Sequence, residues 1–152
     1  MSPRRVVISG ALSAFADMIQ IQRLLDQMGV PAVLPEAIDP TQLISSRRRR
    51  AHRTRALFSH VNRIRSRSTL SLLVVNPDRN GIPNFVSPTT LGEIAIGFAQ
   101  RKGLFLLYGV PYAYESELLG WDVIPLYGDL HIFAKLFREA SKAEVAQLSF
   151  LP

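Results

Sequence analysis

The stretch from Asn80 to Ala99, NGIPNFVSPTTLGEIAIGFA, sets hydroxyls and one carboxylate, Glu93, at the opening of a predicted helix. A helix start exposes unpaired N–H groups and the positive end of the backbone dipole, which suit a phosphate or sugar oxygen. The same dipole favours negative charge in the first turn. Two roles are open for Glu93. As Thr90-x-x-Glu93 it fits a capping box, in which the side chain only satisfies backbone donors. In a ligand site it is a carboxylate presented to substrate, and its position in the fold has to decide between the two.

Other chemistries are excluded or weak. The chain has no cysteine, so disulfides, thiolate metal sites and cysteine nucleophiles are absent. His52, His60 and His131 lack zinc-ligand spacing, and neither a metal nor a cofactor is expected. Nine of the 18 basic residues lie between Arg47 and Arg67, a span without an acid; the remainder holds nine bases against 12 acids, or −3. The protein is thus a mildly acidic domain with one arginine-dense segment. That segment reads as a solvated loop, as a lid whose guanidiniums reach a phosphate, or as a nucleic-acid patch. Nucleic acid is the less favoured partner, because Phe58 is its only aromatic.

These residues must be positioned by a core. The 152 residues suit one domain, residues 1–152. Val6-Val7-Ile8 reads as a buried strand ended by Ser9-Gly10. Leu12, Phe15, Met18, Ile19, Leu24, Leu25 and Met28 recur at helical spacing, and Gly29 is the stop. Ala32-Val33-Leu34 is a second strand, and Pro35 to Ser46 reads as loop. A helix is expected from about Thr54, with Leu57, Val61 and Ile64 on one face. Leu70 to Val75, LSLLVV, is the strongest strand, apolar throughout as when both faces are covered. A helix from Thr90 to Lys102, strands at 104–108 and 123–126, a short helix over 114–119 and a last helix from Leu130 to about Leu148 complete the pattern. Strands alternating with helices predict an α/β fold: a three-layer α/β/α domain on a five-stranded parallel sheet, flavodoxin- or Rossmann-like, in order 2-1-3-4-5. Ligands bind such sheets beyond the carboxyl ends of the strands at the switch point, here between the first and third strands. The loops there supply Ser9, Gly10, Asn76, Asn84, Ser87 and Thr90 as candidate substrate contacts. The N-terminal apolar run is too short for a signal peptide and no run is long enough to span a membrane, so a cytoplasmic protein is expected.

The stretch from Leu72 to Leu130 resembles the nucleoside 2-deoxyribosyltransferase-like superfamily, which includes the deoxynucleoside 5′-monophosphate N-glycosidases. The resemblance rests on Thr90-x-x-Glu93-x-x-x-Gly97-x-Ala99, on the preceding VVNPDRNG, and on Leu126-Tyr-Gly-Asp-Leu130; Ile8-Ser9-Gly10 and the first helix match more softly. It implies that Glu93 is a nucleophile attacking C1′ of a nucleoside or nucleoside 5′-monophosphate, with a glycosyl-enzyme intermediate. Ser87 stands six residues before Glu93, where transferases of free nucleosides carry an aspartate and the monophosphate glycosidases a serine, which implies a phosphorylated substrate. Ala11 stands where phosphate-binding relatives carry a serine, which points the other way. The general acid of the family has no carboxylate counterpart here: the matched segment is His60-Val61-Asn62. His60 can replace it as proton donor, or be a plain helix residue. Asp78 is the other candidate acid, or a turn residue. Tyr108, Tyr112, Tyr114 and Trp121 can stack on a base, pack in the core or face a second subunit, and the resemblance implies a homodimer or larger homo-oligomer.

Overall fold

A computed structural model describes residues 3–36 and 46–149. Five strands form one parallel sheet in the order β2-β1-β3-β4-β5, with β1 Arg5–Ser9, β2 Ala32–Val33, β3 Thr69–Val74, β4 Gly103–Leu106 and β5 Ile124–Pro125. The helices are α1 Phe15–Gln27, α2 Ser46–Arg65, α3 Pro88–Ala99, α4 Glu115–Gly120 and α5 Leu130–Ser149. The expected class and strand order are both present. The register sets Ser9 beside Val74, so β1 and β3 end together at the switch point.

Period-two alternation divides the apolar strands between two cores. Val6, Ile8, Leu73 and Phe105 face Met18, Ile21 and Leu25 of α1 and Phe133 and Phe137 of α5. Val7, Leu72, Val74, Leu104 and Leu106 face Ile64 of α2, Ile94 of α3 and Leu118 of α4. Both sheet faces are thereby covered, which is why these strands are continuously apolar in sequence. Removing such side chains from water stabilises the fold by about 1.5–3 kcal/mol each. The stop after α1 is as expected: Gly29 has φ +75°, and the Val30 amide donates back to the Leu25 carbonyl.

Several boundaries differ from the sequence reading. Residues 37–45, most of the expected 35–46 loop, lie outside the described residues, and Ser46 already belongs to α2. Helix α2 thus begins eight residues before Thr54, because arginine is a good helix former even without an apolar stripe. Its buried face is Ala56, His60 and Ile64; Leu57 is partly exposed and Val61 is half-buried. In α1 it is Ile21 that enters the core, and Leu12 lies exposed in a 3₁₀ turn, Leu12–Ala14. Helix α3 starts at Pro88, capped by Ser87, rather than at Thr90. Lys102 sits just beyond α3, and its ammonium donates to the Ser66 and Thr69 carbonyls at 2.9 and 2.7 Å, fixing the turn into β3. Burial lowers its pKa from the ordinary lysine value, with nearby Glu144 opposing and Arg4 adding to that effect. Among the described residues, no helix is long and apolar enough to cross a membrane.

Candidate functional site

Three elements converge where β1 and β3 end. Ser9 is the last residue of β1, His60 lies on the inner face of α2, and Glu93 lies in α3. With Ser87 as N-cap and Pro88 at the first helical position, Glu93 falls in the second turn and no acid occupies the first. The capping box is therefore not formed. The Ser87 hydroxyl does the capping: it accepts from the Thr90 amide at 3.2 Å and donates to Thr90 Oγ1 at 3.0 Å. Glu93 is left free to point elsewhere.

It points at two side chains. Ser9 Oγ donates to Glu93 Oε2 at 2.5 Å. His60 Nε2 lies 2.7 Å from Ser9 Oγ and 2.8 Å from Glu93 Oε2. Ser9 has one hydroxyl hydrogen; with it directed to Glu93, Nε2 must carry the proton facing both oxygens. His60 Nδ1 is buried without a partner among the described residues. Both bonds to the carboxylate fall on Oε2, while Oε1 receives none among the described residues. Ser9 is fully buried, and Glu93 and His60 keep only 8% and 4% exposure. Glu93 and His60 nonetheless form the floor of an open cleft of about 280 Å³. The arrangement is a carboxylate with one oxygen anchored, the other unengaged, and an N–H donor beside it.

The cleft walls contain residues that the sequence reading had not named as site residues. Arg53 and Leu57 come from α2, Arg79 from the loop after β3, Thr89 from α3, and Leu12, Phe15 and Met18 from the first helical segment. Arg53 was detectable in principle, since it stands seven residues, about two helical turns, before His60. Arg79 is held over the Phe85 ring at 5.0 Å.

The remaining candidates divide. Gly10 and Ser87 line the cleft. Thr90 is buried and turned to Ser87, and its neighbour Thr89 takes the cleft position instead. Asn76 is fully committed: Nδ2 donates to the Gly109 carbonyl at 2.8 Å and Oδ1 accepts from the Tyr108 amide at 3.0 Å. Asn84 accepts from the Gly109 amide at 3.1 Å, and its own amide donates to Asp78 Oδ1 at 2.9 Å. These three residues brace the β3 and β4 loops and do not line the cleft with Glu93. None of the four aromatics after β4 lines it either: Tyr112 is exposed, Tyr114 and Trp121 pack against the α3 side, and Tyr108 is partly exposed. Among the described residues, no group of three or more His, Cys, Asp or Glu side chains is placed to hold a metal ion.

Gly10 has a steric reason for its identity. A Cβ there would lie 2.7 Å from the Val75 carbonyl oxygen, a backbone atom that cannot turn aside, and 3.4 Å from the Met18 thioether. Gly10→Ala should force the Ser9–Ala11 loop off β3 and cost on the order of 1–3 kcal/mol. Urea denaturation checks it; a variant as stable as wild type would mean that the loop is not held as closely as described.

No family model, no curated protein and no solved structure matches the chain.

Proposed function

We propose that the protein cleaves, or transfers across, the N-glycosidic bond of a nucleoside or nucleoside 5′-monophosphate, with Glu93 as nucleophile. The observation that carries this reading is the Glu93 carboxylate in the cleft floor at the switch point, anchored among the described residues through Oε2 alone. An unengaged Oε1 is the oxygen available to attack C1′. As the C1′–N bond breaks, a C1′–Oε1 bond forms, and the departing base nitrogen takes a proton from Nε2 of His60 in its imidazolium form, leaving the neutral imidazole. Water, or a second base, then displaces Glu93 from C1′; in hydrolysis the water proton returns to the imidazole. Developing positive charge on the sugar is met by the carboxylate of Glu93, whose own burial in the cleft floor weakens solvent screening of the interaction. The sequence resemblance supports the assignment of Glu93; the family's carboxylate general acid has no counterpart in the matched segment, where His60 takes the proton-donor role in this reading.

One observation favours a second reading, a nucleotide-binding module without turnover. Asp78, the other candidate acid, is occupied by Asn84, and Glu36, which lines the cleft, is engaged by Ser59 and Arg63, so neither is placed beside Glu93 as a free acid. The experiment that separates the two incubates pure protein with deoxynucleosides and deoxynucleoside 5′-monophosphates and follows free base by chromatography. Base release supports the enzyme. Thermal stabilisation by the same compounds without base release leaves the binding module.

A further inference from the structure

We propose that the ligand of this cleft carries a chain of phosphates, as in a nucleoside triphosphate, laid outward along α2 on Arg53 and Arg49. The inference rests on the reading above only for the end of the ligand that meets Glu93.

The geometry of α2 supplies the lane. At about 3.6 residues per turn, Arg49, Arg53, His60 and Ile64 fall on one stripe of the helix. Ile64 anchors that stripe in the core, His60 meets Glu93, and Arg53 lines the cleft wall. With a rise of about 1.5 Å per residue, Arg53 lies about 10 Å and Arg49 about 16 Å beyond His60 along the axis. A single 5′-phosphate would use the nearer guanidinium; the farther one is placed for charge that continues outward.

Among the described residues, the guanidiniums of the stripe are without partners of their own. Arg49 and Arg53 are exposed and have no ion pair or hydrogen bond among the described residues. Helix α2 contains no acid, and its arginines crowd the end where the backbone dipole is positive, which opposes helix formation. The stripe is thus not explained by stabilising its own helix. Guanidinium groups pair bidentately with phosphate oxygens, and an anion chain would relieve both the mutual repulsion and the dipole conflict. Arg79 adds a third cation on the opposing wall, and Glu36, the acid at the mouth, is already met by Ser59 at 3.1 Å and Arg63 at 3.4 Å.

The far side of the cleft decides between a terminal phosphate chain and a through-running strand. The neighbouring hollow, which shares Ala11, Ser13 and Arg79 with the region of the cleft, is lined by Asp17 and Asp78. A polynucleotide continuing past Glu93 would run its backbone over those carboxylates.

The test is calorimetric titration of the full chain with deoxynucleoside mono-, di- and triphosphates of the four common bases, with inorganic tripolyphosphate, and with a 5′-phosphorylated single-stranded oligonucleotide. Affinity should rise at least about tenfold from mono- to triphosphate for the preferred base, and this gain should shrink as salt rises. Arg49→Gln with Arg53→Gln should flatten the series. Arg55→Gln removes one such charge from the same helix, off the stripe, and should leave the gain in place. Equal affinity across the series, absence of binding, equal loss in Arg55→Gln, or tighter binding of the oligonucleotide than of the triphosphate would each overturn the proposal. Base release is scored separately: if none of these compounds releases base but the affinity ladder is present, the glycosidic reading fails and the phosphate lane stands.

Discussion

Glu93→Gln should abolish base release while leaving the protein folded and able to bind its ligand. The amide keeps an oxygen that can accept from Ser9 and His60, whose donors otherwise converge on Oε2. Stability should therefore stay within about 1 kcal/mol of wild type. What the amide lacks is the negative charge and the lone-pair basicity needed to close a bond to C1′. Loss of a nucleophile that acts as part of a unit typically costs on the order of 10³- to 10⁶-fold in turnover, so kcat should fall at least about 10³-fold with KM little changed. Glu93→Ala is the less informative variant, because it leaves the buried Ser9 hydroxyl without its acceptor and His60 N–H with Ser9 Oγ alone, and so mixes a folding defect into the activity. Single-turnover assays on both, alongside circular dichroism, separate the effects. Turnover by Glu93→Gln within about tenfold of wild type would remove Glu93 as nucleophile.

The largest stability effect is expected far from this chemistry. Phe133 is fully buried beneath the sheet, edge-on to Phe105 with ring centres 5.0 Å apart and planes at 82°, and next to Phe137 at 6.2 Å. It joins α5 to β4 and thereby closes the core that also holds Ile8 and Leu73. Phe133→Ala should cost about 3–5 kcal/mol through lost transfer energy and the void left behind. Against a total stability of about 5–15 kcal/mol, that is a large fraction. For a chain of this length, about 2–4 °C of Tm per kcal/mol gives a fall of about 6–20 °C. Thermal and urea melts check it, and a fall below about 2 °C would contradict the packing described.

The architecture was legible because its signals are local. LSLLVV shows a strand buried on both faces without any knowledge of its neighbours, and Gly29 marks the end of α1 because only a residue tolerant of positive φ continues the chain there. Ser87-Pro88 also carried a readable start signal, a capping hydroxyl followed by proline, yet Thr90-x-x-Glu93 offered a competing one three residues later. Taking the later start put Glu93 one turn too early and turned a site residue into a possible cap. The face of α2 was misjudged for a different reason. Leu57, Val61 and Ile64 are the apolar choice, but the helix buries Ala56 and His60 instead, because a small residue permits close approach and Ser9 and Glu93 satisfy the imidazole. That pairing joins residues 51 and 33 positions from His60, a separation over which spacing rules say nothing. Asn76, Asn84 and Asp78 show the converse: polar residues in a switch-point loop read as ligand contacts, and here they hold the loop itself.

The sheet ends in β2 and β5, each two residues long, and the outer one includes Pro125, which has no amide hydrogen to offer. Such margins give an incoming chain almost nothing to zip onto. Growth by strand addition is therefore blocked on both flanks, and the long apolar ribbons that would seed fibres stay locked in the middle of the sheet.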